Sequence, residues 1–243
     1  MLEWKQATLI KKDLLSPEVL ALTFKVPDWK KHMPGQYYEI RVSLPNGKET
    51  ERMYSIASSP EDVGIVQFGV EHIKGGEVSP HLWKLPLGGN VLVRGPAGDK
   101  FLWHRDIAGP LLLIAGGSGL VPMISMLRHY KEGRNDERDI VLLHSISRLS
   151  SALYKKELDW LSREYRKINI FYVITEKSPE KRKKWKGFNR RIDKEMILEV
   201  FGKYKNASAL YVAGSNQFVE SMHKHLLSCG FSHDQIRSEY FGE

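Results

Sequence analysis

The sequence predicts a two-domain protein: an N-terminal antiparallel β-barrel over residues 1–108, then an α/β domain with a parallel sheet over residues 109–243. Three observations carry that prediction. Before Ala108 the chain is a series of short β-like runs rich in Val, Ile, Tyr and Phe, broken by turns. After Gly109 it changes to apolar runs of strand length, each followed by a helix-like stretch. At the join stands Leu111 to Pro122, LLLIAGGSGLVP, which reads as a buried strand, a tight turn and a helix start.

In the first half the runs are WKQATLIKKDLL, EVLALTFKV, GQYYEIRVSL, RMYSIAS, GIVQFGVEHI and NVLVRG. Pro34-Gly35, Pro45-Asn46-Gly47 and Gly88-Gly89 separate several of them. About six such runs suggest a barrel, which disposes of sheet edges and leaves ligand positions at its rim. One helix, Ser79 to Trp83, interrupts the pattern after Gly75-Gly76-Glu77-Val78. It is either a barrel connection or a small anion site, since a helix-start hydroxyl and the first amides converge there.

In the second half LLLIA, IVLLH, NIFYVI and ALYVA are the expected strands. The expected helices are Pro122–Lys131, Ala152–Tyr165, Ile192–Phe201 and Phe218–Cys229, and Ile236 to Phe241 is a final edge strand. Leu111 to Ala115 lack polar alternation, as a strand covered on both faces should. Gly116, Gly117 and Gly119 allow positive φ and close backbone approach, and Pro122 suits a first helical turn because it needs no N–H partner. Such a helix start attracts an anion, most often a phosphate, although glycines that merely fit the bend would look the same. The order differs from G-x-G-x-x-G, with Pro122 where the last glycine would be.

Composition narrows the classes. With 243 residues, 42% hydrophobic and 27% charged, there is chain for two cores. MLEWKQATLIKKD lacks a signal-peptide core and no run approaches membrane-spanning length, so the cytoplasm is the expected compartment. Cys229 is the only cysteine, which rules out an intrachain disulfide and a cysteine-ligated iron–sulfur cluster held by this chain alone; no metal site is expected. At the end of FVESMHKHLLSC, it reads as a packed thiol with Gly230 as helix cap. The net charge of +8 is uneven: 14 basic against 13 acidic residues over 1–108, and 23 against 16 over 109–243. Residues Lys177 to Arg191 alone hold eight basic residues and one acid.

An ordered set of motifs now stands along the chain: Arg52-Met53-Tyr54-Ser55, Gly75-Gly76-x-x-Ser79, Gly95-Pro96-Ala97-Gly98 with Phe101, the Gly116–Pro122 turn, Ala213-Gly214-Ser215, and terminal Glu239-Tyr240-Phe241. Over nearly its whole length the chain resembles the ferredoxin–NADP reductase-like flavoproteins, in particular stand-alone members without a ferredoxin domain. The resemblance implies a reductase-type FAD-binding barrel and an NAD(P)-binding α/β domain. It implies that Arg52 pairs with the FAD pyrophosphate, Tyr54 lies against the isoalloxazine and Ser55 hydrogen-bonds near its N5. Val70, Gly75, Gly76, Val78 and Ser79 would complete the FAD site. Phe101 and Trp103 would cover flavin or adenosine, or else fill the barrel core.

By the same resemblance Gly116, Gly117, Ser118, Gly119 and Pro122 meet the pyridine-nucleotide pyrophosphate, with the nicotinamide reaching the flavin. Ser147 and Arg148 fall where the family meets the adenosine ribose. No acid occupies Ser145 to Ser151, and Lys181–Lys186 with Arg190-Arg191 add basic charge, so NADPH is expected over NADH. Ala213, Gly214 and Ser215 stand where many members carry Cys-Gly-Pro. Hydride transfer needs positioning more than a thiol, so the step is expected to be slowed, not abolished. Glu239 and Phe241 match the terminal acid-and-aromatic pattern, with Phe241 stacking on the flavin and Tyr240 as the alternative.

The expected activity is hydride transfer from NADPH to FAD, then single electrons to an external acceptor such as an acidic ferredoxin or flavodoxin, steered by the basic loop. The alternatives are an NADH-dependent reductase component of a multicomponent oxygenase, or a flavin-free nucleotide- or polyanion-binding module with Trp185 and Phe188 as stacking aromatics. No nucleic-acid or membrane partner is expected. The aromatic C-terminus argues for a monomer.

Overall fold

A computed structural model describes residues 2–44, 46–133, 137–176 and 187–242. Contacts divide the chain into two compact units, Met1–His104 with Val121–Arg134, and Arg105–Leu120 with Asn135–Glu243.

The first unit is a six-stranded antiparallel sheet of β1 (Lys5–Ser16), β2 (Val19–Lys25), β3 (Tyr37–Ser43), β4 (Glu49–Ser55), β5 (Ile65–Glu71) and β6 (Asn90–Ala97), in the order β4-β3-β6-β1-β2-β5. Its edges meet just beyond β4, where Ile56 bridges Phe68 and the Ala57 N–H donates to the Gln67 carbonyl at 2.8 Å, curling the sheet into a barrel. The alternation on β3 (Tyr38, Ile40 and Val42 buried) and β5 (Val66, Phe68 and Val70 buried) supplies one wall each of the core. β4 starts three residues earlier than the run RMYSIAS suggested. Its polar beginning is held by the ladder to β3 and by Arg41, which donates to Glu49 and Glu51 at 3.0–3.2 Å.

Helix α1 (Val78–Lys84) follows β5, and Lys12 Nζ donates to the Trp83 and Leu85 carbonyls at its end. The unit also includes α2 (Val121–Lys131). Ser125 Oγ donates to the Ser58 carbonyl at 2.7 Å, Arg128 donates to the Ala57 carbonyl and to Gln67 at 2.9 Å, and His129 bonds Glu61 at 3.0 Å.

The second unit is a five-stranded parallel sheet: β7 (Leu111–Gly116), β8 (Ile140–Ile146), β9 (Ile168–Ile174), β10 (Leu210–Ser215) and β11 (Ile236–Phe241), in the order β11-β10-β7-β8-β9. The chain starts in the middle, adds β8 and β9 on one side, then returns to add β10 and β11 on the other. The switch point therefore lies between β7 and β10, where such sheets bind ligands. One face packs Leu112, Ile114, Leu143 and Val212 against α4 (Lys194–Phe201) and α5 (Asn216–Ser228), with Met196, Phe201, Val219 and Met222 filling the layer.

Helix α3 (Lys155–Glu164) begins three residues later than the expected Ala152. Tyr154 has φ +50°, a left-handed backbone that no helix can run through, and a short 3₁₀ turn, Leu149–Ser151, fills the gap. The starts of α4 and α5 are set by capping side chains: Asp193 accepts from the Met196 N–H and Ser215 from the Phe218 N–H. Among the described residues no helix is long and apolar enough to cross a membrane.

Candidate functional site

On β4 the residues facing the core side are those opposite Val42, Ile40 and Tyr38, namely Thr50, Arg52 and Tyr54. Arg52 and Tyr54 thus share a face, as their spacing predicted. Tyr54 is half-buried with its ring 6.3 Å from Phe68, and burial pushes its hydroxyl pKa up against the pull of Arg52. Arg52 is exposed on the edge strand and donates to the Glu51 carbonyl at 2.9 Å; Ser55 is buried.

At the start of α1 the Gly76 N–H donates to the Ile73 carbonyl, and Ser79 Oγ accepts from the Ile73 N–H, both at 3.0 Å. Gly75 has φ +80°, which a side chain would strain. Val78 and Ser79 are buried beneath this turn. Sequence reasoning passed over Glu77 in its midst. Lys48 Nζ lies 2.8 Å from its carboxylate, and hydrogen bonds from Lys48 and Thr50, with Arg52 nearby, hold its carboxyl below the usual range. Lys48 and Glu77 are 29 residues apart, so no local signal marks the pair. Arg52 and the Ser79 hydroxyl suit a pyrophosphate dianion, whereas the Glu77 carboxylate, neutralised by Lys48, opposes one.

The remaining expected FAD contacts are core. Val70 is fully buried in the barrel cluster, and its carbonyl accepts from Trp83 Nε1 at 3.0 Å. Phe101 and Trp103 are buried too; Gly35 packs against the Phe101 backbone, and Trp103 stands edge-on to His129 at 5.7 Å.

In the second unit the glycines of the turn have distinct duties. Only Gly117 takes a left-handed φ, +54°, opening a 3₁₀ turn (Gly117–Leu120) that the sequence pattern did not anticipate ahead of α2. A Cβ on Gly119 would stand 2.1 Å from the Ala213 carbonyl oxygen, and one on Gly116 would stand 2.8 Å from the Phe218 ring. Gly214 closes on the same ring and on the Gly116 backbone. The turn after β7 and the end of β10 are thus seated on each other at the switch point. Ser118 lies within that turn, and Pro122 is buried in the first turn of α2.

Register carries a row of residues across the sheet, Glu239, Ala213, Ala115, His144 and Tyr172, all on the face opposite α4 and α5. Glu239 is half-buried beside Ala213, and Phe241 beside Ser215 points the same way. Tyr240 is 51% exposed on the other face, which it shares with Ser238, bonded to His223 at 2.6 Å. Of the two terminal aromatics, Phe241 is the one that shares a face with the acid.

After β8, Ser147 is exposed and Arg148 half-buried. The Glu176 N–H donates to the Ser147 carbonyl at 2.8 Å, and Thr175 bonds the Ile146 carbonyl through both N–H and Oγ1. An acid from the end of β9 therefore lies beside the Ser147–Arg148 segment, although none occurs within it. Arg190 is engaged with Asp193 at 2.6 Å, at the cap of α4. The basic stretch Lys181–Lys186 and Trp185 lie outside the described residues. Phe188 bridges to Val173 and packs, partly buried, against the core. Cys229 is buried, its thiol pKa raised by burial.

Comparison with known proteins gives the class. The family described as "Oxidoreductase FAD-binding domain" matches residues 6–101, and "Oxidoreductase NAD-binding domain" matches residues 113–224. The chain is 28% identical to NADH-cytochrome b5 reductase 1 of Laccaria bicolor, over 92% of this chain and 72% of that protein. It is 29% identical to the flavohemoprotein of Bacillus subtilis over 99% of this chain, but spans only 60% of that relative. The fold matches the cytochrome b5 reductase domain of Ulva prolifera nitrate reductase with a TM-score of 0.84 at 23% identity, covering 98% and 97% of the two chains. This is a flavoprotein oxidoreductase with FAD- and NAD(P)-binding domains. The chain belongs to the ferredoxin–NADP reductase-like family.

Proposed function

We propose that the chain is an NADH-dependent reductase, binding FAD over residues 1–108 and the nucleotide over residues 109–243, and delivering electrons to a separate acceptor protein. The observation that carries the reading is the glycine turn seated against Ala213 and Gly214 at the switch point. FAD, when bound, supplies the passage from a two-electron donor to a one-electron acceptor. The chain's own part is to bind and orient: in the first unit Arg52, Gly76 and Ser79 on phosphate, with Tyr54 against the ring and Ser55 near its reacting atoms, and in the second the Gly116–Gly119 turn on the nucleotide.

Glu176, whose backbone joins Ser147, supports the nucleotide preference: a carboxylate accepts hydrogen bonds from a bare ribose and repels a 2′-phosphate. The relatives' names, NADH-cytochrome b5 reductases, support it. A second reading, NADPH, is favoured by Arg148 and the excess of basic residues over 109–243. For the acceptor, that same charge favours an acidic electron-transfer protein such as a ferredoxin, flavodoxin or cytochrome.

The test is the visible spectrum of the purified protein, titrated anaerobically with NADH and with NADPH. A flavin spectrum bleached at lower NADH than NADPH supports the proposal, and Glu176→Gln should shrink the preference roughly tenfold. Preference for NADPH, abolished in Arg148→Ala, would establish the second reading. A colourless protein that takes up no FAD would overturn both.

A further inference from the structure

We infer that His144 is a positioning residue for the nucleotide turn, holding the Gly117 carbonyl inward so that the next amide faces out from the strand ends. The inference rests on the reading of that turn as the pyridine-nucleotide site. His144 lies on β8, wholly buried, and its Nε2 stands 3.2 Å from the Gly117 carbonyl oxygen. A carbonyl can only accept, so Nε2 carries the proton and the ring is the Nε2–H tautomer. Burial pushes the His144 pKa down to about 4, which keeps this tautomer neutral over the working range.

The geometry of the peptide bond does the rest. In a trans peptide the C=O and the following N–H point in opposite directions. With the Gly117 carbonyl drawn toward the buried ring, the Ser118 N–H points away from it, beyond the carboxyl ends of β7 and β8. Gly117 is also the one residue of the turn with a left-handed φ, and glycine has little intrinsic barrier to the alternative in which this peptide is rotated. Rotated, it would present a carbonyl oxygen to an incoming phosphate. The 3₁₀ turn already engages the Gly117 carbonyl, and the ring adds a second donor from below, which biases the sign of the dipole that the turn offers.

A second observation separates this from ordinary core packing. His144 Nδ1 is buried and has no hydrogen-bond partner. A leucine would fill the space without stranding an acceptor, so packing alone does not call for an imidazole here. The sequence shows only a histidine ending the run IVLLH; nothing there indicates that it reaches under a turn 27 residues earlier.

The experiment compares wild type, His144→Leu, His144→Asn and His144→Gln as FAD-loaded full chains. The readouts are KM for NADH and kcat with ferricyanide, with the Kd for NAD⁺ measured separately. A glutamine amide reaches where Nε2 stands, whereas an asparagine amide reaches only as far as Nδ1. In His144→Leu, KM and Kd should rise roughly tenfold while kcat stays within about twofold, the mark of lost ground-state positioning. His144→Gln should return both to within about threefold of wild type, and His144→Asn should resemble the leucine variant. Unchanged KM in His144→Leu, or equal losses in the Gln and Asn variants, overturns the inference; the Gln–Asn pair decides even if the leucine variant does not fold. Absence of saturable nucleotide binding in the wild type would instead overturn the reading of the turn, and this inference with it.

Discussion

The two glycine turns that bear on ligand binding are built on opposite plans. At Gly75 nothing stands within 4 Å of where a side chain would begin, and the chemistry around it comes from side chains: Arg52, Lys48, Glu77 and Ser79. At Gly119 the Ala213 carbonyl leaves no room for any side chain. The first turn has room for a side chain, whereas the second admits no added methyl group without displacing the Ala213 backbone.

The sharpest way to break that comparison is one substitution in each turn. Gly119→Ala should cost roughly 4 kcal/mol or more, because the methyl meets backbone that cannot move aside, whereas Gly75→Ala should cost about 1–2 kcal/mol of left-handed strain. Thermal melts of the two variants measure the difference. Similar losses would mean that Ala213 and Gly119 separate easily, contrary to the seating described above.

Acid unfolding probes what the two units share. Each buries one histidine pushed down to about 4, His32 beside the Ser58 carbonyl in the first and His144 beside Gly117 in the second. A depressed histidine binds its proton more readily when unfolded. Its stabilisation is full above about 6.5 and is lost as pH falls from there towards 4, by up to about 1.4 kcal/mol per pH unit for each ring. Glu61 adds a separate loss at lower pH. Burial opposes its charge, yet Ser59 and His129 hold it down to about 2, so its contribution fades as pH falls below the usual carboxylate range. Denaturant melts from pH 7.5 to 4.5 should show the slope, and His32→Phe should remove about half of it. A flat profile would mean that both rings are hydrated in solution.

The smallest effect expected on folding is also the most specific to ligand. Arg52→Ala should leave the melting temperature of the FAD-free protein within about 2 °C, since exposed substitutions rarely exceed ~0.5 kcal/mol. Its FAD affinity should fall roughly tenfold to a hundredfold, the worth of a charge-assisted phosphate contact. An equal loss of stability without FAD would move Arg52 from the ligand to the scaffold.

Much of this was legible in the chain because it is local. The period-two runs of the barrel, the apolar strands before each helix, and Arg52 and Tyr54 two residues apart on a strand all depend on neighbours in sequence. Where α3 begins was not legible, since nothing in Ala152 to Tyr154 announces the left-handed backbone at Tyr154. The status of Phe101 and Trp103 was not legible either: an aromatic that covers a cofactor and one that fills a core have the same composition.

Residue type and order by themselves determined the barrel, the parallel sheet and the family, because hydrophobic period and glycine placement act over a few residues at a time. Only the tertiary structure decided which face of the last strand Phe241 occupies, that Glu176 lies beside Ser147, that Glu77 pairs with Lys48 near Arg52, and that His144 reaches Gly117. Each of these joins residues that are distant in the chain and adjacent only through strand register or a crossover connection. Register is fixed by the summed packing of a whole sheet, so no local pattern of residues encodes it.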